Sequence, residues 1–336
     1  MKSLFVLTLA IVLAAAKSVS AADSSYQLVN TISVGGAGGW DYLTVDPAAK
    51  RLYVSHGNRV VVIDTAKDAV VGEITNTPGV HGIALAPELG RGLVTCGREN
   101  KAAIVDLKTL QTIGKVETGG NPDAMLFEPG RREFYTFNGH GESATVIDAK
   151  SGEVVATIPL GGKPEFVACD SKAGLVFVNI EDKNEIAVID AKKRAVVKRW
   201  PIAPGEEATG LAYDEKHHRL FIGCSNKLMV MMDSVDGKVL ATVPIGDGVD
   251  GNAFDPGMRF AFASCGDGTT TVAREDGEKL AIVQVLKTEP GARTMALDPA
   301  THKIYLATAK FEAPAEGQRR GKMTADTFKI LVFAPK

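Results

Sequence analysis

The sequence predicts an all-β fold, a seven-bladed β-propeller built from four-stranded blades. Three observations predict it. Turn signals recur at intervals of 40, 42, 42, 44, 41 and 43 residues. Between them lie short apolar segments of strand length, separated by Gly, Pro and Asp. No segment after residue 21 keeps a helical apolar period for three turns.

Each unit reads in the same order, with strands a to d numbered outward from a central channel. Strand a ends at an acidic or Pro-containing turn: Asp46-Pro47, Ala86-Pro87, Glu128-Pro129, Asp170-Ser171, Asp214-Glu215, Asp255-Pro256 and Asp298-Pro299. Pro fixes φ and removes a donor, and Asp bonds nearby amides, so both end a ladder and begin a turn. Strand b follows as Leu52-Tyr53-Val54, Gly92-Leu93-Val94, Phe134-Tyr135-Thr136, Val176-Phe177-Val178, Leu220-Phe221-Ile222, Phe260-Ala261-Phe262 and Ile304-Tyr305-Leu306. Strand c ends in Val62-Ile63-Asp64, Ile104-Val105-Asp106, Val146-Ile147-Asp148 and Val188-Ile189-Asp190, then drifts to Met231-Met232-Asp233, Val272-Ala273-Arg274 and Leu331-Val332-Phe333. Strand d is the next apolar stretch, as in Ala156-Thr157-Ile158-Pro159. The seventh unit has no strand d, because the sequence ends at Lys336. A spare strand from Leu28 to Val34 precedes the first unit and is expected to complete blade seven. That closure would join both ends by ladder hydrogen bonds and leave no open seam.

Ahead of the repeats, residues 1–21 read as an export signal. Lys2 precedes an apolar run from Leu4 to Ala16, and Val19-Ser20-Ala21 supplies small residues for cleavage before Ala22. The run is too short to span a bilayer, and Lys17 interrupts it. The expected organisation is a signal peptide over 1–21 and one propeller domain over 22–336. The expected location is periplasmic or secreted, without stable membrane insertion, and the expected state is a monomer. Without Lys2 and Lys17 there are 36 basic against 40 acidic residues and no basic block. Nucleic acid is therefore excluded as the expected partner, since phosphate binding needs clustered Lys and Arg.

Four cysteines occur without CxxC or CxxCH spacing, so neither a redox pair nor covalent haem is signalled. Cys96, Cys224 and Cys265 share one repeat position at the end of strand b, and Cys169 lies on strand a of blade four. Equivalent positions in adjacent blades exceed the roughly 7 Å Cα limit for a disulfide. Four free thiols are expected.

Leu52-Tyr53-Val54-Ser55 and Val176-Phe177-Val178-Asn179 are similar to the YVTN repeat. With the Val-Ile-Asp strands, the export signal and seven units, the sequence after Ala22 resembles the YncE-like family of periplasmic YVTN propellers. The resemblance implies seven blades and brings no catalytic set. One departure is the 20-residue stretch from Ala309 to Phe328 between strands b and c of the last blade. The other six b–c connections are shorter.

Comparing equivalent repeat positions singles out one ring. Five residues before each a-strand turn stand Asp41, His81, Asp123, Glu165, Thr209, Asp250 and Arg293. In a propeller, strand a begins there, at the mouth of the channel. Four carboxylates and a histidine suit a divalent metal: Ca²⁺ through oxygen donors, or Mn²⁺ or Zn²⁺ when His81 joins. The alternative is solvated charge lining a wet channel, with Arg293 paired to Asp41 or Asp250. Two extra residues in blade five bring Glu206 or Glu207 toward the same region. Trp40, next to the ring, either stacks on a ligand or wedges between blades. Ten residues after each turn lie His56, Cys96, Asn138, Ile180, Cys224, Cys265 and Thr308. They read as small buried packing residues in preference to a soft-metal site. His140, in a Gly-flanked b–c loop, is either a proton-transfer group or a surface histidine. His217, His218 and His302 fall in a–b turns on the opposite face and are expected to be solvated. No helix follows the Gly-rich run at 35–39, so it lacks the dipole and amide cradle of a phosphate loop.

Two functions follow, from different classes. One is a non-enzymatic binding or scaffold protein of the cell envelope, taking a small molecule or an envelope protein on the face that carries the ring; Trp40 and Arg293 would flank the ligand. The other is a metal-dependent hydrolase such as a lactonase. There Asp41, Asp123, Glu165 and Asp250 would ligate the metal, and His81 or His140 would be the base. No asparagine holds a ring position, unlike the amide ligands of some propeller lactonases. A quinone-dependent dehydrogenase is disfavoured by two tryptophans and no repeated Trp docking motif.

Overall fold

The computed structural model describes residues 25–312 and 321–336. Among these residues the chain forms seven four-stranded antiparallel sheets, each a blade. Blade one consists of Trp40–Asp46, Arg51–His56, Arg59–Asp64 and Ala69–Ile74, paired in that order. The same a-b-c-d order recurs through blade six, which ends with strand d at Lys279–Lys287. Short 3₁₀ turns at Pro87–Leu89, Gly97–Glu99 and Glu181–Lys183 replace tight turns in blades two and four. The expected export signal over residues 1–21 lies outside the described residues. No helix among the described residues is long and apolar enough to cross a membrane.

The burial pattern explains why strands b and c read as unbroken apolar runs. Each blade packs face to face against its neighbours, so its middle strands are covered on both sides. Leu52 to His56 and Val60 to Ile63 are all buried, whereas strand d of the same blade is mostly exposed. The core is accordingly divided into wedges between blades. One wedge packs Leu43, Leu52 and Val54 of blade one against Tyr305, Ile330 and Val332 of blade seven. Another packs Phe177 and Val188 of blade four against Leu211 and Ile222 of blade five.

Blade seven closes as the spare strand requires. Tyr26–Ser33 runs antiparallel to Lys329–Pro335, from Tyr26 opposite Pro335 to Ser33 opposite Lys329, with a register shift between Leu28 and Asn30. The other two members are Lys303–Thr308 and the short strand Met295–Asp298.

Two of the acidic turn landmarks, Asp170 and Asp255, join blades as well as end strands. One carboxylate oxygen caps the turn: Asp170 accepts from the Ala173 amide at 2.9 Å, and Asp255 from the Gly257 amide at 2.9 Å. The second oxygen remains for the next blade. Asp170 Oδ2 accepts the Tyr213 hydroxyl of blade five at 2.8 Å. Asp255 Oδ2 lies 2.7 Å from His302 Nδ1 of blade seven. The expectation of solvated histidines on this face holds for exposed His218 and is corrected for His217 and His302, which are part-buried against carboxylates. His302 pairs with Asp255, His217 lies 2.5 Å from Asp214, and His218 lies 3.2 Å from the Tyr213 hydroxyl. The cause is the unused carboxylate oxygen, which offers a turn histidine a partner better placed than water.

All four cysteines are free thiols; Cys96, Cys224 and Cys265 are buried and Cys169 is half-buried. Burial pushes the Cys96 thiol up to about 11 and the Cys169, Cys224 and Cys265 thiols up to about 12. A thiol held protonated is a poor nucleophile. Titration with a disulfide reagent at neutral pH is expected to find four thiols in denaturant without reductant, and close to none in the native protein. Two or none in denaturant would place a disulfide where this blade arrangement permits none.

Candidate functional site

The ring position is built by a local irregularity in strand a. In blade one, Trp40 faces His56 and Leu43 faces Val54, so Asp41 and Tyr42 together oppose Ser55. A register shift occurs at the same place in blades two to six, as between Val80 and Ile83 or Val249 and Gly251. Such a bulge bends its strand and re-aims the side chains beside it. Polar residues of strand b hold it in place. Ser55 Oγ accepts the Asp41 amide at 2.8 Å. Thr95 Oγ1 accepts the Gly82 amide at 3.3 Å and donates to the Asp123 carbonyl of the next blade at 2.9 Å. The bulge thus presents the second residue of strand a to the channel mouth, and the interblade bond sets the spacing of the ring.

At the mouth is a polar cavity of about 380 Å³. Asp41, Asp123, Glu165 and Asp250 line it, joined by Lys163 and Glu181. A shallower hollow of about 870 Å³ adjoins it over blades one and two, lined by Trp40, Arg59, His81 and Arg98 among others; Asp41 borders both. His81 Nδ1 lies 2.7 Å from Asp41 Oδ2 and 3.2 Å from Asp123 Oδ1. The ring therefore divides. Asp41, His81 and Asp123 offer three donor atoms within 4.8 Å of one another. Glu165 is held by Lys163 Nζ at 2.7 Å, and Lys163 also pairs with Glu181. Arg293 Nη1 lies 3.1 Å from Asp250 Oδ2, the second of the two pairings expected for it. Thr209 donates to the Val249 carbonyl at 2.9 Å.

The remaining candidates fall outside this cluster. His140 is exposed and lines neither cavity. Glu206 and Glu207 are exposed and line neither. Trp40 packs on Phe328 and Phe311 at ring distances of 5.1 and 6.0 Å, which makes it a wedge, with one edge left on the larger hollow. His56 is buried and stacked on Phe328 at 4.1 Å. Burial, aided by the Arg59 charge, lowers its pKa and keeps it neutral, a packing role like that of the cysteines at its repeat position.

Crowding of like charge away from bulk water perturbs the whole mouth. Burial raises Asp41, with Asp250 adding repulsion and the His81 hydrogen bond opposing. Burial and the neighbouring Asp41 charge lift Asp123 to about 6. Burial and Asp123 lift Glu165 to about 7 against the pull of Lys163. Burial disfavours the charged form of His81, yet Asp41 and Asp123 outweigh it and raise the imidazole to about 9. His81 is therefore an imidazolium at neutral pH, bridging two carboxylates. The stability it contributes is complete below its ordinary value of 6.5 and is lost as pH rises through about 9. Asp123 and Glu165 act with the same sign: their folded forms bind protons more tightly, so their ionisation costs stability as pH climbs through 6 to 7.

Below the carboxylates lies a floor that the sequence did not reveal. Tyr42 packs against Phe166 across the channel at 4.7 Å between rings. Gly82 leaves room for this, since a Cβ there would meet Met125 Cε at 2.7 Å and Tyr42 Cβ at 2.8 Å. Tyr42 borders both the polar mouth and an apolar cavity of about 660 Å³ on the far side. Burial and the surrounding carboxylates hold its hydroxyl protonated. Lys163 and Glu181 were also missed. They come from connections and not from the ring position, so repeat alignment alone does not single them out.

Neither a family model nor a curated protein matches this chain. Solved structures do. A chain from the mitotic checkpoint complex crystal structure superposes with a TM-score of 0.76 at 13% identity, covering 98% of this chain and 99% of that one. A chain of Kuenenia stuttgartiensis hydrazine synthase superposes with a TM-score of 0.70 at 18% identity, covering 80% of this chain and 92% of that one. At such identities the likeness shows the propeller fold alone.

Proposed function

We propose that this chain is an exported binding protein that takes a cationic ligand at the channel mouth. One observation carries the reading: the charge of a single cavity is unbalanced. Five carboxylates, Asp41, Asp123, Glu165, Glu181 and Asp250, converge there with two fixed cations, Lys163 and Arg293. His81, an imidazolium at neutral pH, joins from the adjoining hollow as a third cation and still leaves the carboxylates in excess. The raised Asp123 and Glu165 mark carboxylates short of positive charge, and a bound cation relieves their repulsion. A divalent ion such as Ca²⁺, Mn²⁺ or Zn²⁺ fits Asp41, His81 and Asp123 best, because these three offer convergent donor atoms with neither Lys163 nor Arg293 between them, and the ion would replace the proton that His81 carries at neutral pH. A small organic amine is the other ligand of this chemistry, with Trp40 and Arg293 at its margins. The leading apolar segment and the resemblance to periplasmic YVTN propellers support export and a binding role in the envelope. A protein partner would dock on the same rigid face.

A metal-dependent hydrolase is the second reading, favoured by the same three convergent donors. The metal would polarise a lactone carbonyl. His81 would then be a ligand, and Glu165, near 7, is better placed than exposed His140 to take a proton from water.

Cation binding must displace protons, so its strength should grow with pH. Adding Ca²⁺, Mn²⁺ or Zn²⁺ is expected to raise the melting temperature at pH 8, where Asp123 and Glu165 are ionised and the His81 proton alone is left to displace, and to have much less effect at pH 5, where all three are protonated. Combining Asp41→Asn with Asp123→Asn should abolish the shift. No shift with any of these ions or with a small alkylamine at pH 8 would overturn the reading. A shift accompanied by lactone turnover that disappears on chelation would favour the hydrolase.

A further inference from the structure

A second donor cluster lies on the face opposite the mouth, at the seam between blades five and six. Asp214 ends strand a of blade five at Ala208–Asp214, and His217 stands in the turn that follows. Glu275 comes from strand c of blade six at Thr269–Asp276. One ring nitrogen of His217 and one carboxylate oxygen each of Asp214 and Glu275 lie within 4.8 Å of one another.

An independent observation points to a ligand. Glu275 is 1% exposed, and Arg259 binds only one of its oxygens, Oε2, through Nε at 2.8 Å and Nη2 at 2.7 Å. The other, Oε1, is buried and has no hydrogen-bond partner among the described residues. A carboxylate oxygen left in that state is costly, because burial has removed its water without replacement. Asp214, 2% exposed, spends Oδ1 on the Lys216 amide at 3.0 Å and turns Oδ2 to His217.

We propose that Asp214, His217 and Glu275 form a Zn²⁺ site that ties blade five to blade six. One imidazole nitrogen with two carboxylate oxygens is a borderline donor set that suits Zn²⁺, whereas Ca²⁺ calls for six or more oxygens. Donors of one tetrahedral ion lie about 3.4 Å apart when each bond is about 2.1 Å, so this set closes with small side-chain rotations. With His217 neutral, two carboxylates exceed the Arg259 charge by one unit, which leaves the seam able to accept a dication. His217 is a third exposed, so water can complete the coordination. This site is separate from the channel mouth and does not depend on the reading given for it.

The test uses the mature chain carrying His81→Gln, which removes the histidine donor at the mouth, stripped with chelator and titrated calorimetrically with Zn²⁺. One ion per chain is expected. His217→Gln and Glu275→Gln, added singly, should each weaken binding about tenfold or more. Co²⁺ substitution should give visible absorption that His217→Gln removes. Both variants preserve size, and near-ultraviolet circular dichroism checks each fold, so a defect in one leaves the other decisive. No Zn²⁺ binding in the His81→Gln chain, or binding unchanged by both further substitutions, would overturn the proposal.

Discussion

Deletion of Tyr26–Ser33 should leave a protein that aggregates or melts far below the parent, by roughly tens of degrees. This strand is the outer member of blade seven and pairs along Lys329–Pro335. Its removal would expose that strand as an open edge, a template for association with other chains. It would also remove two anchors, Tyr26 at 2% and Ile32 at 4% exposure. Tyr26 donates its hydroxyl to the His302 carbonyl at 2.9 Å and sets its ring edge-on to Phe262 at 5.2 Å. Its amide reaches Gln284 Oε1 in blade six at 2.8 Å, so the strand ties two blades. Truncating a buried aromatic residue costs about 3–5 kcal/mol and a buried Ile about 2–5 kcal/mol. The two together approach the whole stability of a typical domain, about 5–15 kcal/mol, before any ladder bond is counted. Ile32→Ala alone should give a graded loss of about 2–5 kcal/mol. Thermal melts with light scattering measure both. A deletion variant that stays soluble and melts with the parent would show that the ring does not close through this strand.

Replacing Asp255 with Ala should be the most damaging single change on the face opposite the mouth, at about 3 kcal/mol or more. The carboxylate is fully buried. It accepts the Gly257 and Met258 amides at 2.9 and 3.1 Å and meets His302 Nδ1 at 2.7 Å. Hydrogen bonds to a charged group are worth about 1.5–3 kcal/mol each, and their loss leaves amide donors without partners. Asp255→Asn keeps the shape and one acceptor oxygen, so it should cost clearly less. Urea denaturation resolves the pair: the midpoint should fall in the order parent, Asn, Ala, with little change in slope. An Ala variant within about 0.5 kcal/mol of the parent would mean that this aspartate only ends its strand and joins nothing.

Asp255 also shows how far sequence reasoning reached. It is legible as a turn residue, because the strand–turn pattern is local and recurs seven times, five of them with Asp at this position. Its partner His302 is 47 residues away, and no local rule joins them. The channel mouth divides in the same way. Asp41, His81 and Asp123 were found by comparing equivalent positions, since the repeat converts a spacing near 42 residues into adjacency around a ring. Lys163 and Glu181 were not, because they enter the cavity from connections whose path varies between blades. Tyr42 was missed for another reason. It follows the ring residue directly, and ordinary alternation would turn it away from the channel; the bulge opposite Ser55 puts both residues against one partner.

The sequence by itself determined the number of blades, the order of strands, the strand that closes the ring and the ring of charged positions. All of these depend on periodicity and on the local chemistry of Asp, Pro and Gly. Only the tertiary structure decided which charges meet. It paired Glu165 with Lys163 and Asp250 with Arg293, left Asp41, His81 and Asp123 convergent, and brought Glu275 to the Asp214–His217 turn. The reason is physical: a repeat sets the backbone position of a residue to within a few ångströms, whereas an ion pair or a donor set depends on distances near 3 Å. Those distances are settled by bulges, side-chain rotamers and the loss of water between packed blades.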